Sequence, residues 1–503
     1  MIAEWIDRAA ASRGDASYLE DAAGGGVLTF AGLLRATAGW GRRLDRAGVT
    51  PGAAVALRWP DPLGYATALL GIIGAGRVVV PLDPAAPGSE LSRMLEVARP
   101  QAVVCDLPAG EIPAGLTVLR PAEALPAETA LRGDTALPGD TALPQGTVGS
   151  PGAGGIFLCT SGTTGTPKGI LLRDDQIGHV AACVAGHHRL SPADRGYCCL
   201  PLFHINAEVV GLLATLAARA CLVLDRKFSR RGFWPLIEEK RITWINAVPA
   251  IITVLAMDPF DTERSGVHVR FIRSASAPLA PSALQRFEQA FGIPVIETYG
   301  MTEAASMITA NPLDGPRKPG SVGLPAGAEV RVVPVSGADD AVGRVQIRGP
   351  GVITQYAAGG PAGAVDPDGW LDTGDLGRFD QDGYLFLAGR SDDVINRGGE
   401  KIYPREIEDF LLAQEGVSSA AVVAAQDEVL GERPVAYVTT TGSWSSDKLE
   451  YALREACGTG LPRAKRPSAF FVVEKMPLGP TGKIARRRLR ELAMASGARS
   501  ESS

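Results

Sequence analysis

The stretch Thr160-Ser161-Gly162-Thr163-Thr164-Gly165-Thr166-Pro167-Lys168-Gly169 constrains this chain more than any other. Its three glycines let the backbone come close to an anion and turn N–H groups inward, its hydroxyls add donors, and Lys168 adds a fixed positive charge. Together these features describe a phosphate cradle. A lone glycine-rich loop is ordinarily a flexible surface turn, but ten consecutive residues of one chemical kind argue against that here. The apolar runs Ile156-Phe157-Leu158-Cys159 and Ile170-Leu171-Leu172 predict a strand on either side of the loop. The Walker A motif is excluded, because Pro167 precedes the lysine, Gly169 follows it and no helix is predicted next.

A chain of 503 residues with 46% hydrophobic content can bury large cores and is long enough for two to four domains or subdomains. With a net charge of −5 and no basic stripe interleaved with aromatics, nothing points to a nucleic-acid surface. The N-terminus, Met1-Ile2-Ala3-Glu4-Trp5-Ile6-Asp7-Arg8, carries acidic residues and lacks a secretory apolar core. The apolar run from Val209 to Leu224 is interrupted by Arg219 and too short to span a bilayer, so the cytoplasm is expected. Seven scattered cysteines without a C-x-x-C predict reduced, mostly buried thiols and neither a disulfide framework nor a zinc site.

Along the chain, helical spacing predicts a helix within residues 28–48, with Thr29 as N-cap and Gly48 as stop. Strands are expected at Val55-Ala56-Leu57 and Val78-Val79-Val80-Pro81, with a helix from Ala66 to Gly74 between them. This alternation argues for layered α/β architecture. The glycines of Gly71-Ile72-Ile73-Gly74-Ala75-Gly76 close a helix instead of opening one, which excludes a dinucleotide fingerprint. Residues 121–154, rich in Pro, Gly, Ala and Thr, read as a flexible, linker-like insert. Residues 317–388 read as β-rich. Further on, Gly398-Gly399-Glu400-Lys401 predicts a tight hairpin and Pro404 to Leu412 an amphipathic helix. The arginines Arg486-Arg487-Arg488 are expected on a solvated helix face.

Four further motifs follow the glycine-rich loop: Tyr299-Gly300-Met301-Thr302-Glu303, Trp370-Leu371-Asp372-Thr373-Gly374-Asp375, Gly389-Arg390-Ser391-Asp392-Asp393 and Pro480-Thr481-Gly482-Lys483. In order and spacing the set resembles the acyl-adenylate-forming (AMP-binding) superfamily, which includes acyl-CoA synthetases, peptide-synthetase adenylation domains and beetle luciferases. The resemblance covers the chain from about residue 25 to about residue 490. It implies a mixed α/β fold: a large N-terminal domain, 1–390, of layered α/β subdomains plus a β-rich subdomain, and a small mobile α+β C-terminal domain, 391–503.

What the resemblance implies for single residues is specific. Thr160, Ser161, Gly162, Thr163, Thr164, Gly165 and Lys168 would hold the phosphates of ATP, and Ser276, Ala277 and Glu297 would border the nucleotide. Tyr299 can stack on a purine, Thr302 can donate to a phosphate, and Glu303 is an anionic ligand for Mg²⁺. Asp375 would accept both ribose hydroxyls, and Arg390 would lie on the nucleotide. His204, in Pro201-Leu202-Phe203-His204, would border the acyl pocket and the thiol tunnel. Asn206, Asn246, Ala277, Gly300 and Met301 are further acyl-pocket candidates. Asn206 and Glu208 suggest a polar pocket entrance. Asp392 would be the hinge, and Gly398, Gly399 and Lys401 would form the coenzyme A tunnel.

The implied first step is attack of a carboxylate on the α-phosphorus of ATP. The carboxylate is already ionised at neutral pH, so positioning and charge neutralisation are what the protein must supply. Lys483 is the candidate for the bridging ammonium. Rotation of the C-terminal domain would then admit a thiol, with coenzyme A favoured over a separate acyl carrier protein because no carrier domain is attached. The alternatives are a stand-alone adenylating enzyme that loads a separate carrier protein, an enzyme that stops at the adenylate or passes it to a different nucleophile, and a non-catalytic nucleotide-binding regulator. The regulator would be expected to have lost Lys168, Glu303, Asp375, Arg390 or Lys483, all of which are present.

Overall fold

Continuous apolar runs recur through the first two thirds of the chain, and buried parallel strands are their natural destination. A computed structural model describes residues 1–106, 112, 115–120, 154–161, 167–257, 268–335, 342–442, 444–478 and 484–500. Among the described residues four sheets form. At the centre of the largest lie four parallel strands, Arg195–Cys198, Trp244–Ala247, Phe271–Ser274 and Val295–Tyr299. The helices Pro249–Ala256 and Pro281–Phe291 connect the last three of them, each opened by a proline whose missing N–H costs nothing in a first turn. The strands are nearly fully buried, as crossover helices require.

A second sheet takes the order Thr117–Leu119, Ala102–Cys105, Ala54–Arg58, Val78–Pro81, Gly155–Ser161, Pro167–Arg173. Its last two strands pair antiparallel, with Ser161 opposite Pro167, so the glycine-rich loop tips a hairpin as expected. Between the sheets lies one core containing Trp40, Leu69, Leu70, Ile72 and Trp244. The expected helix runs from Phe30 to Arg46; the Thr29 hydroxyl accepts the Gly32 N–H at 3.0 Å, and Gly48 stands just beyond its end at φ 74°. The helix Pro62–Gly74 passes through the core, where Gly71 lies so close to Trp40 that a Cβ there would sit 2.3 Å from the indole. That contact is what the Gly71–Gly76 run serves.

The expected β-rich segment is an antiparallel sheet of Glu329–Pro334, Gly343–Arg348, Leu371–Phe379 and Leu385–Arg390. The fourth sheet begins with the hairpin Ile395–Arg397 and Glu400–Ile402, turned by Gly398 and Gly399 at φ 60° and 89°. Only glycine adopts such a consecutive pair without strain. The helix Pro404–Leu412 packs Ile407 and Leu411 onto one face of this sheet, and Leu489 of the terminal helix Arg486–Ser500 packs onto the other.

Two expectations need correction. Arg486 is not on a solvated face: it is paired with Glu408 at 2.7 Å and with Asp393 at 3.6 Å, because the first turn of its helix abuts the Asp393 bend, while Arg487 is 82% exposed as expected. Glu208 does not line an entrance: it is 0% exposed, buried in the π-helical segment Asn206–Leu213. All seven cysteines are free, and Cys105, Cys198, Cys199, Cys221 and Cys457 are buried. No helix among the described residues is long and apolar enough to cross a membrane. Of the segment 121–154 only Gly154 is described.

Candidate active site

The four central parallel strands all end at one edge of the large sheet, with candidate residues in or just after each end. After Arg195–Cys198 comes His204; Trp244–Ala247 carries Asn246 next to its last residue; after Phe271–Ser274 come the exposed Ser276 and Ala277; after Val295–Tyr299, Gly300 to Glu303. A crevice at the carboxyl ends of parallel strands is where open α/β sheets bind ligands. Ser276 is held at φ 74°, an unusual conformation for a side-chain-bearing residue.

One cluster joins the large sheet to the β-rich sheet. The Tyr299 hydroxyl donates to Asp375 Oδ2 at 2.5 Å, and Arg390 donates to Asp375 Oδ1 at 3.3 Å and to the Thr373 carbonyl at 2.9 Å. Burial first, and then the Asp375 charge, push the Tyr299 phenol well above its usual range, so it acts as a fixed donor. Gly374 stands at φ 74° between them; a Cβ there would lie 2.8 Å from the Arg390 guanidinium. The carboxylate is thereby oriented from two sides.

A second cluster sits under the glycine-rich hairpin. The segment following Val352 lies along the strand Pro167–Arg173, with Gly169 N–H donating to the Ala358 carbonyl and Ala357 N–H to the Gly169 carbonyl, both at 2.9 Å. This seats the Tyr356 ring 5.4 Å from Lys168 Nζ, while the Tyr356 hydroxyl donates to Glu303 Oε1 at 3.0 Å. One tyrosine thus touches both the cation and the carboxylate. Glu303 is 8% exposed on a short 3₁₀ turn, with Thr302 half-buried beside it. The turn is possible because residue 300 is glycine: a Cβ at Gly300 would fall 1.1 Å from the Ser306 carbonyl oxygen. Gly300 therefore carries the tight return of the chain; Met301 beside it is half-buried.

A third cluster lies beneath the strand ends. In register across the sheet, Cys198 is beside Asn246, and Asn246 beside Arg273. Asn206 completes the group: its Oδ1 accepts Arg273 NH1 at 2.8 Å and Asn246 Nδ2 at 3.3 Å, and its Nδ2 donates to Ser276 Oγ at 3.2 Å. Asn206 and Asn246 are both buried, so they lie behind the exposed Ser276 and Ala277. The half-buried His204 packs its ring against Phe203 at 4.6 Å.

Glu297, on the strand leading to Tyr299, accepts the Leu279 N–H at 3.3 Å and faces Arg405 of the helix Pro404–Leu412 at 4.0 Å. Burial pushes this carboxyl up to about 7, against the pull of Arg405 and the Leu279 amide. Asp392 is exposed near Arg390, Gly398 donates to the Leu430 carbonyl at 2.7 Å, and Lys401 is half-buried on the hairpin. Gly162, Thr163, Thr164, Gly165 and Lys483 lie outside the described residues; Thr160 and Ser161 are the last residues of the strand before the loop.

Two residues escaped the sequence reading. Tyr356 sits in no recognisable motif, and only the strand-like docking beside Gly169 brings it to Lys168. Arg273 was legible as a polar residue inside the apolar strand Phe271–Ser274, a signal that was passed over.

Comparison with known proteins follows this geometry. The AMP-binding enzyme family matches residues 6–357, and the AMP-binding enzyme C-terminal domain matches residues 406–483. The sulfoacetate–CoA ligase of Cupriavidus necator is 38% identical, over 97% of either chain. The oxalate–CoA ligase of Arabidopsis thaliana is 35% identical, over 89% of either chain. Among solved structures, the o-succinylbenzoate CoA synthetase of Bacillus subtilis, in complex with its acyl-adenylate intermediate, superposes with a TM-score of 0.81 at 26% identity, over 97% of either chain.

Proposed function

The chain belongs to the AMP-binding enzyme family, and from that premise we propose that it is an AMP-forming acid–CoA ligase, which joins a carboxylic acid to AMP with release of pyrophosphate and then passes the acyl group to coenzyme A. The observation that carries this reading is the convergence of Asp375 with its two orienting partners, and of Lys168 with Glu303 through Tyr356, at the carboxyl ends of one parallel sheet. A separate acyl carrier protein is the less favoured acceptor, since the similar proteins are CoA ligases.

In this reading Asp375 accepts the ribose hydroxyls, which suits a carboxylate with lone pairs to spare beyond Tyr299 and Arg390. The hairpin loop with Lys168 carries the distal phosphates, and Thr302 donates to the phosphate chain. Among the described residues no group of three metal-ligating side chains exists, and the single carboxylate of Glu303 fits a Mg²⁺ ion that arrives on the triphosphate. Such an ion neutralises phosphate charge when bound. Ser276, Ala277, Met301 and His204 border the acyl group. Lys483 bridges the acyl carboxylate and the α-phosphate oxygens as charge builds in the transition state.

The boundary between the two domains lies at residues 390–391 with Asp392 as hinge, and rotation there exchanges Lys483 for the Gly398-Gly399 hairpin beside Lys401. Contact of Arg405 with Glu297 supports an arrangement in which the helix after that hairpin already leans on the nucleotide side of the cleft. The free thiols suit a reducing cytoplasm.

The test is mass-spectrometric product analysis with ATP, Mg²⁺, coenzyme A and a panel of carboxylic acids. An acyl-CoA and AMP are expected. Adenylate without thioester would overturn coenzyme A as acceptor, and the absence of both would overturn the ligase reading.

A further inference from the structure

Arg273 is a guanidinium in the wrong surroundings. It is 0% exposed in the large sheet, and among the described residues no carboxylate pairs with it. NH1 donates to the amide oxygens of Asn206 and Asn246, at 2.8 and 3.3 Å, while Nε and NH2 are buried with no hydrogen-bond partner. Burial lowers its pKa to about 9, opposed only by the neighbouring Cys198 thiol, so the group is still charged at neutral pH. The buried His188 nearby is held well below its usual range, by burial first and then by Arg273, and so adds no second positive charge.

A buried, unpaired charge of this kind is strongly unfavourable, and an apolar residue of similar volume would pack there at lower cost. What the charge does is visible in its hydrogen bonds. Arg273 is only a donor, so Asn206 must present Oδ1 to it, which turns Asn206 Nδ2 outward to Ser276 Oγ at 3.2 Å. Ser276 is exposed at the strand end that borders the proposed acyl site. The result is a relay: Asn206 Nδ2–H holds Ser276 Oγ, the Ser276 hydroxyl proton is left to face the cleft, and one positive charge backs both.

We propose that Ser276, Asn206 and Arg273 form a subsite for a second oxyanion on the acyl substrate, so that the acid activated is short and carries a further carboxylate or sulfonate besides the carboxylate that reacts. This rests on the ligase reading above. The second anion accepts from the Ser276 hydroxyl, whose oxygen Asn206 holds in place, and Arg273 behind them supplies the missing charge neutralisation. Asn246, in register with Arg273, holds the Asn206 amide from the other side. The spacer is short because Ser276 and its neighbour Ala277 also border the proposed nucleotide position, which keeps the reacting carboxylate close by. A charge about 9 Å from an anion, at an effective dielectric constant of about 20, corresponds to a ~20-fold effect on binding.

The test compares ATP–pyrophosphate exchange for matched acids: malonate, succinate and sulfoacetate against propionate and butyrate. Wild type is expected to use the doubly anionic series with a kcat/KM ~20-fold higher, and the split between malonate or succinate and sulfoacetate tells carboxylate from sulfonate. Arg273→Met is expected to lose ~20-fold on the doubly anionic acids and little on propionate, with Arg273→Lys partly restoring the preference. Retained ATP binding by Arg273→Met shows that the variant is folded. A wild-type preference for propionate or butyrate, or an equal loss on both series in a folded Arg273→Met, would overturn the subsite while leaving the ligase reading in place. If wild type activates no acid of any kind, the ligase reading falls and takes the subsite with it.

Discussion

Replacing Glu297 by Gln tests whether burial or the Arg405 contact governs this carboxyl. Glu297 is 2% exposed, Oε2 has no partner, and Arg405 approaches Oε1 only to 4.0 Å. Burial is the larger influence and raises its pKa from the ordinary 4.5 to about 7. The folded protein therefore keeps a proton that the unfolded chain loses above pH 4.5. The stability this proton contributes is present in full below about pH 4.5, is lost as pH rises through about 7, and is gone above it. At about 1.4 kcal/mol for each pH unit, the interval from 4.5 to about 7 amounts to about 3 kcal/mol. With about 2 cal/mol/K of unfolding entropy for each of roughly 400 surrounding residues, that is a shift of about 4 °C. Glu297→Gln cannot ionise, so its Tm relative to wild type is expected to rise by about 4 °C between pH 4.5 and 8 and then level off. Arg405→Met, which removes the nearby cation, is expected to extend the wild-type decline to higher pH. The assay is thermal unfolding of the three proteins across that range. A Glu297→Gln difference that stays flat with pH would refute the reasoning, because Glu297 would then be ionised throughout.

Three other outcomes are expected. Tyr356→Phe removes the hydroxyl that orients Glu303 but keeps the ring beside Lys168, so kcat/KM for ATP falls roughly 10-fold in steady-state assays while thermal stability changes little. Gly300→Ala forces a Cβ to within 1.1 Å of the Ser306 carbonyl unless the backbone moves, so a loss of ~3 kcal/mol or more is expected in denaturant unfolding. Lys483→Ala slows adenylate formation ~10² to 10³-fold, yet spares thioester formation from a supplied acyl adenylate; equal loss in both half-reactions would argue against the proposed exchange at the hinge.

Much of the fold could be read from short-range pattern. Thr29 caps its helix, Pro281 opens another, Gly398-Gly399 turn a hairpin, and the apolar runs around the glycine-rich loop pair as strands, because each depends on residues a few positions apart. The candidate residues in motifs were legible for the same reason. What local pattern could not supply was any partner distant in sequence. Arg486 looked solvated until Glu408 came alongside, and Glu208 looked like a pocket residue until the π-helical segment turned it into the core.

Local pattern was enough for the strand and helix alternation, the glycine-rich hairpin and the charged candidates for a nucleotide site. Long-range packing supplied the rest: Tyr356 spans Lys168, nearly two hundred positions before it, and Glu303, 53 positions before it, and Arg273, Asn246 and Asn206 stack behind Ser276 with no acidic partner among the described residues. The physical reason is register: parallel strands separated by helices set Cys198, Asn246 and Arg273 side by side through backbone hydrogen bonds that no single segment encodes.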